Sequence, residues 1–265
     1  MKTLIYQVYV GQPSALYDHC TQSVKAYAER IGADYHCQTQ PILRIKPNPF
    51  TSNRSKEAVE RLGYLPIYEK ENAFDYLDRY DRIAIIDSDV FVRESAPTIF
   101  DQLGDGAAIG AVVEQEMPIT EAYTGKIRNY SVMQYHELAS RVPRAQGMPF
   151  VSTPQYGYEF MNMGVMLIDK SIVPHFKGLN ARDWISQPMF QDFVDGKGNW
   201  KWSTDQTLLN SWIRCAKVPF TKMNWKWNGL YSANTKIKEC HFVHFFLKDK
   251  LPAKGENVEA LMRTI

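Results

Sequence analysis

Apolar positions along this chain fall into short dense runs separated by polar, glycine- and proline-bearing stretches, and the spacing inside each run sorts strand from helix. Leu4 to Val10 is nearly continuous apolar and aromatic sequence closed by Gly11 and Pro13, which predicts a first strand. Over 14–31, Leu16, Cys20, Val24, Tyr27, Ala28 and Ile31 recur at the period of one helix face, and Gly32 supplies the stop. A short strand near Tyr35–Cys37 and a loop with Pro41, Pro47 and Pro49 follow. Residues 55–78 have helical character, interrupted near Gly63 and Pro66.

The run RIAII, 82–86, is apolar on both faces, which predicts the middle of a sheet covered on both sides. A short helix at 97–103 and a strand at 107–113 come next. Residues 115–157 change in character, rich in Tyr, Met, Pro and Gln with one helical stretch near 121–140, and read as an insertion or lid over a site. FMNMGVMLI, 160–168, is a second buried strand; after two further helices, STDQTLLNSWIRC, 203–215, is a helix and CHFVHFF, 240–246, a last strand. Strand and helix alternate early and mix later, an α/β architecture with a mixed sheet flanked by helices.

Composition narrows the class. With 265 residues, 45% hydrophobic, the chain has ample material for one large domain. Its 31 basic residues nearly balance 29 acidic ones, which argues against a nucleic-acid binder. Cys20, Cys37, Cys215 and Cys240 form no CxxC pair, so reduced thiols and a cytoplasmic setting are expected. The start, MKTLIYQVYVG, has too short an apolar run for a signal peptide, and no run reaches the ~18 residues of a membrane span.

The chemistry concentrates at RIAIIDSDVFV, where Asp87 and Asp89, with Ser88 between them, end the buried run. In open α/β sheets ligands bind beyond the carboxyl ends of central strands. Two carboxylates this close repel, and a divalent cation resolves the conflict. Oxygen ligands suit Mg²⁺ or Mn²⁺, which share their remaining positions with substrate phosphates. Turn formation alone also accounts for a DxD triplet. Ser203 with Gln206 three places on matches a helix capping box, and Asp205 suits the first turn of a helix.

YDRIAIIDSDVFV, EFMNMGVMLIDK, STDQTLLN and HFVHFFLK occur in that order over about residues 65–248, and together they resemble the signature blocks of GT-A fold, nucleotide-sugar-dependent glycosyltransferases, in particular family eight, the retaining glycogenin and galactosyltransferase group. The resemblance implies a single Rossmann-like GT-A domain over 1–265, with a nucleotide-binding half at 1–114, the insertion at 115–157 and an acceptor-binding half at 158–265. It implies transfer of a hexose from a nucleoside diphosphate sugar, expected to be a UDP-sugar, to a hydroxyl of a carbohydrate or glycoconjugate acceptor with retention. Asp87 and Asp89 would ligate the metal with a late histidine, a mixed set that favours Mn²⁺. The family's last block resembles HFxGxxKPW, and this chain departs from it, having His241 and His244 and no PW. His244 is favoured because Phe242-Val243 continues a buried strand, and Lys248 would then neutralise the departing diphosphate. Asp205 would bind donor-sugar hydroxyls, Gln206 would face the anomeric carbon, and Asn162 and Gly164 would lie against the sugar. Trp225 and Trp227 are candidates to flank the acceptor, since aromatic faces pack on sugar C–H faces.

Two other readings compete. A GT-A fold protein that binds sugar without turnover would keep the same blocks. A phosphatase resembling the haloacid dehalogenases also places DxD after an apolar strand, but carries Thr or Val where this chain has Phe91.

Overall fold

The structure, a computed structural model, describes residues 1–265 except 12, 55–61, 147–151, 156 and 202–203, and describes no side chains at 142–146. Among the described residues, nine strands form two sheets: β1 (Thr3–Val8), β2 (Asp34–Gln38), β3 (Arg82–Ile86), β4 (Val90–Val92), β5 (Ile109–Val113), β6 (Met161–Asp169), β7 (Phe220–Met223), β8 (Gly229–Leu230) and β9 (Phe242–His244). The large sheet has the order β2-β1-β3-β6-β5-β7, and the small one β4-β9-β8. β1 is parallel to both β2 and β3, whereas β6 is antiparallel to β3 and β5. The parallel β1–β2 pair requires a crossover, which α1 (Ala15–Ile31) supplies, ending at a left-handed Gly32 with φ 70°.

Alternation along the central strands fills two layers. Ile83 and Ile85 of β3, with Met166 and Ile168 of β6, face a core completed by Phe74, Leu77, Leu208 and Trp212. Ala84, Ile86, Val165 and Leu167 face the opposite core, against Val24 and Tyr27 of α1 and Val92 and Phe242 of the small sheet. Both faces of β3 are covered, as its unbroken apolar run predicts. Two further long helices are α2 (Glu121–Gln146), within the predicted insertion, and α3 (Asp205–Cys215).

The element boundaries move in places. The first strand stops at Val8, and the last spans only Phe242–His244. The predicted helix at 97–103 is a single 3-10 turn at Ile99–Gln102. Within 55–78, residues 55–61 lie outside the described residues, and Pro66–Asp78 is wound as a 3-10 helix. Its polar run Glu69-Lys70-Glu71-Asn72 is buried throughout. Tertiary partners, rather than periodicity, hold it: Glu69 accepts backbone N–H bonds from Ile42, Leu43 and Arg44. Ser203 also lies outside the described residues; the N-cap of α3 is Thr204, whose side chain makes no capping bond.

Candidate active site

Asp87, Ser88 and Asp89 are the whole connection between β3 of the large sheet and β4 of the small one. The ladder carries the turn: Asp87 N–H donates to the Gly164 carbonyl of β6 at 2.8 Å, and Phe245 N–H donates to the Asp89 carbonyl at 2.9 Å. His244, paired with Val90 across β4 and β9, thereby faces the acids, with Nε2 3.2 Å from Asp89 Oδ1. Asp87, Asp89 and His244 offer donor atoms that all lie within 4.8 Å of one another. Two carboxylate oxygens and an imidazole nitrogen fit a divalent ion of intermediate hardness. His241 packs at a tilt against Trp227, centroids 5.0 Å apart, and is not part of this group.

Burial alone would pull the His244 imidazole down, but the Asp89 carboxylate, with Asp87 behind it, more than reverses this and holds it above 6.5. Burial would likewise raise Asp89, and the His244 charge holds it below 3.8. Each group thus favours the charged form of the other.

A bulge in β6 assembles the opposite wall. Its register against β5 passes from Ala111↔Met166 to Val112↔Asn162, leaving residues 163–165 outside the β5 ladder. Bulges re-aim groups beside sites, and here the freed Met163 backbone is taken up by side chains. Its carbonyl accepts from Lys70 Nζ at 3.1 Å, and its N–H faces Gln206 Oε1 at 3.4 Å. Gly164 sits in the same bulge. A Cβ there would lie 2.6 Å from His244 Nδ1 and 3.0 Å from Asn162 Oδ1, so glycine is what lets the histidine reach the acids.

Lys70 is the residue the sequence did not disclose. Its ammonium lies 2.9 Å from Asp87 Oδ1 and 3.1 Å from Asp205 Oδ2, with only 7% of its side chain exposed. Burial disfavours its charge, but Asp205 and Asp87 together raise its pKa above the ordinary lysine value. Asp205, 1% exposed, is pushed up to about 6 by burial, against the pull of Lys70 and with a further push from Asp87. Gln206 Nε2 reaches Glu114 Oε1 at 3.3 Å, and Tyr123 of α2 donates to Glu114 Oε2 at 3.3 Å. Burial raises Glu114, and hydrogen bonds from Asn162, Gln206 and Tyr123 restrain the rise.

Two cavities meet at this cluster. The first, about 540 Å³, opens past the end of β1 and the start of α1, between Tyr9, Ser14 and Tyr17, with Asp87, Ser88, Asp89 and Lys248 on its other walls. The second, about 570 Å³, lies under α2, with Tyr123, Ile127 and Tyr130 facing Asp205, Gln206, Asn162, Gly164 and His244. Ile67, Lys70 and Asp87 line both. Lys248 Nζ lies 3.3 Å from Ser14 Oγ and 3.3 Å from Glu256 Oε1. Leu247, at the position three after His244 where the family pattern has glycine, adopts the left-handed conformation with φ 57°.

The structure therefore brings Asp87, Ser88, Asp89, Asn162, Gly164, Asp205, Gln206, His244 and Lys248 to two adjoining cavities. Trp225 and Trp227 line neither. Trp227, 2% exposed, is built into the core against Phe242 and His241, and Trp225 packs between two core clusters. Lys70, Glu114 and Asn228 join the site without having been read from the sequence. Lysine and glutamates in the run EKEN look like a solvated turn, and only the flanking apolar residues Ile67 and Phe74 hint that the run is enclosed.

No family model and no curated protein matches the chain by sequence. Solved structures match by fold. One is a glycosyltransferase involved in the glycosylation of the major capsid of PBCV-1, 11% identical, covering 99% of this chain and 100% of that one with TM-score 0.58. Another is the galactosyltransferase LgtC in complex with donor and acceptor sugar analogs, 15% identical, covering 98% of this chain and 94% of that one with TM-score 0.53. The chain has the GT-A glycosyltransferase fold that its motifs led one to expect.

Proposed function

We propose that this chain is a metal-dependent glycosyltransferase that moves a hexose from a nucleoside diphosphate sugar, a UDP-sugar by preference, to a hydroxyl acceptor with retention. The observation that carries this reading is the meeting of two cavities at Lys70 and Asp87, between an Asp–Asp–His group and the buried Asp205–Gln206 pair. The first cavity takes the nucleotide, and the second takes the transferred sugar and the acceptor. In domain terms, 1–114 holds the donor, 158–265 the acceptor, and α2 of the intervening segment roofs the reaction. The unpaired thiols of Cys20, Cys37, Cys215 and Cys240 suit a reducing cytoplasm.

Asp87, Asp89 and His244 would hold Mn²⁺, or Mg²⁺ in its place. Bound there, the ion supplies positive charge against the donor diphosphate. Ser88 faces the same phosphates, and Lys248 meets the charge that builds on them as the sugar leaves. Lys70, between the two cavities, sets its positive charge against Asp87 and Asp205. Asp205 accepts hydrogen bonds from donor-sugar hydroxyls, and the Gln206 amide lies at the face of the anomeric carbon. An amide oxygen is a weak nucleophile, which fits departure running ahead of attack. The bond from the anomeric carbon to the β-phosphate oxygen breaks. The acceptor oxygen bonds to that carbon from the same face, and its proton passes to the departing phosphate oxygen.

Incubation with Mn²⁺ and a panel of nucleotide sugars is the test, because slow donor hydrolysis needs no acceptor. The expected result is hydrolysis of one donor, lost on chelation and in Asp87→Asn. Donor binding without any hydrolysis or transfer would favour a sugar-binding protein instead, and no donor binding would overturn both readings.

A further inference from the structure

A line of buried side chains runs away from the Asp–Asp–His group and has a direction. Asn162 Oδ1 accepts from the Gly164 backbone N–H at 2.9 Å, a group that can only donate. That fixes the Asn162 amide, so its Nδ2 faces Glu114 Oε1 at 2.7 Å. The same Asn162 oxygen accepts from Asn228 Nδ2 at 2.8 Å. Asn228 is fully enclosed, and with its nitrogen committed its oxygen is left facing His244 Nδ1 at 3.0 Å. An amide oxygen only accepts, so Nδ1 carries a proton, and Nε2, 3.2 Å from Asp89 Oδ1, is the nitrogen turned to the acids.

We infer that Glu114, Asn162 and Asn228 are positioning residues that set the tautomer and ring orientation of His244 for metal ligation. The inference rests on reading Asp87, Asp89 and His244 as a metal site. A ligating imidazole works through its unprotonated nitrogen, and the partner of its other nitrogen decides which one that is. Here the partner is an amide whose own polarity is fixed at a distance, from one end by a backbone N–H and from the other by a carboxylate. The line draws on four separate elements: the end of β5, the β6 bulge, the segment before β8, and β9. Glu114 also holds Gln206 and Tyr123, so one buried carboxylate keeps the metal ligand, the Asp205–Gln206 pair and the α2 roof in a common frame.

The test has two arms. In wild-type protein labelled with ¹⁵N at histidine and saturated with Mg²⁺, a diamagnetic ion, the His244 ring is expected to carry its proton on Nδ1. A proton on Nε2 in that state overturns the proposal without any variant having to fold. In the second arm Mn²⁺ binding is measured calorimetrically on wild type, Asn228→Ala, Glu114→Ala and Glu114→Gln. Loss of an outer partner of a ligating histidine costs roughly 10–100-fold in metal affinity. Asn228→Ala and Glu114→Ala are expected to show it, and Glu114→Gln, whose amide oxygen can still accept from Asn162, to recover most of it. Unchanged Mn²⁺ affinity in a folded Asn228→Ala protein overturns the relay alone. Absence of Mn²⁺ binding in the wild type overturns the metal-site reading and the relay with it.

Discussion

A methyl group added at Gly164 would meet His244 Nδ1 and Asn162 Oδ1 inside normal contact distance, and both partners are enclosed on their other sides. Gly164→Ala is therefore expected to turn the His244 ring away and weaken Mn²⁺ binding roughly 10–100-fold, read by calorimetry on protein whose circular dichroism is unchanged. The His244–Asp89 pair sets a pH dependence. A folded pKa above the ordinary 6.5 means the pair's stabilisation is complete below that value and is lost as pH rises through the higher folded one. Metal-free protein is expected to melt at falling temperature across that window, and His244→Gln to flatten the trend. Mn²⁺ affinity should climb over the same range, because the ligand must shed a proton. Asp205 separates two roles. As a helix first-turn charge its replacement by Asn costs about 0.3–1 kcal/mol. As a contact to the reacting sugar it costs roughly 10²–10³ in rate. The second outcome is expected in a turnover assay, with near-normal turnover handing the residue back to the helix. Asp87 and Asp89 were legible in the sequence because charges abutting a buried strand are physically anomalous, and His244 through the family resemblance together with the apolar Phe242-Val243 before it. Lys70, Glu114 and Asn228 were not, because their roles depend on chain segments far away in sequence.

At the scale of elements, the α2 roof offers Tyr123, Ile127 and Tyr130 to the second cavity at helical spacing, one face of one helix. Tyr130→Ala is expected to leave donor hydrolysis intact and to raise the acceptor KM two- to tenfold, about what an aromatic contact of 0.5–1.5 kcal/mol is worth. Steady-state kinetics with acceptor varied at fixed donor checks this; an unchanged KM removes α2 from acceptor binding. The long strands and α1 follow from periodicity, since their burial is one- or two-faced in the ordinary way. The 3-10 winding of Pro66–Asp78 does not follow, because its buried polar side chains are fixed by the loop around Ile42–Arg44 and by Asp87 and Asp205. The bulge in β6 was foreshadowed only by a glycine within a strand. Leu247 shows the converse: a leucine holds a left-handed φ of 57°, a turn that no glycine in the sequence marked.

At the scale of the whole molecule, the proposed ligands are the two acids that join the sheets and a histidine of the small sheet, so an ion there ties the end of β3 to β9. Mn²⁺ at about a hundred times its Kd is expected to stabilise the fold by about 2.7 kcal/mol. A raised melting temperature in scanning calorimetry, absent in Asp87→Asn, checks it. The three residues Asp87–Asp89 are also the whole spacer between β3 of one sheet and β4 of the other. Strand faces alternate with period two, so a single residue added to this spacer would turn Val90 and Val92 outward and Phe91 inward while moving one acid off the cluster. Substitution can be absorbed here, but insertion and deletion cannot: the length of the triplet is under constraint from folding before chemistry makes any demand on its composition.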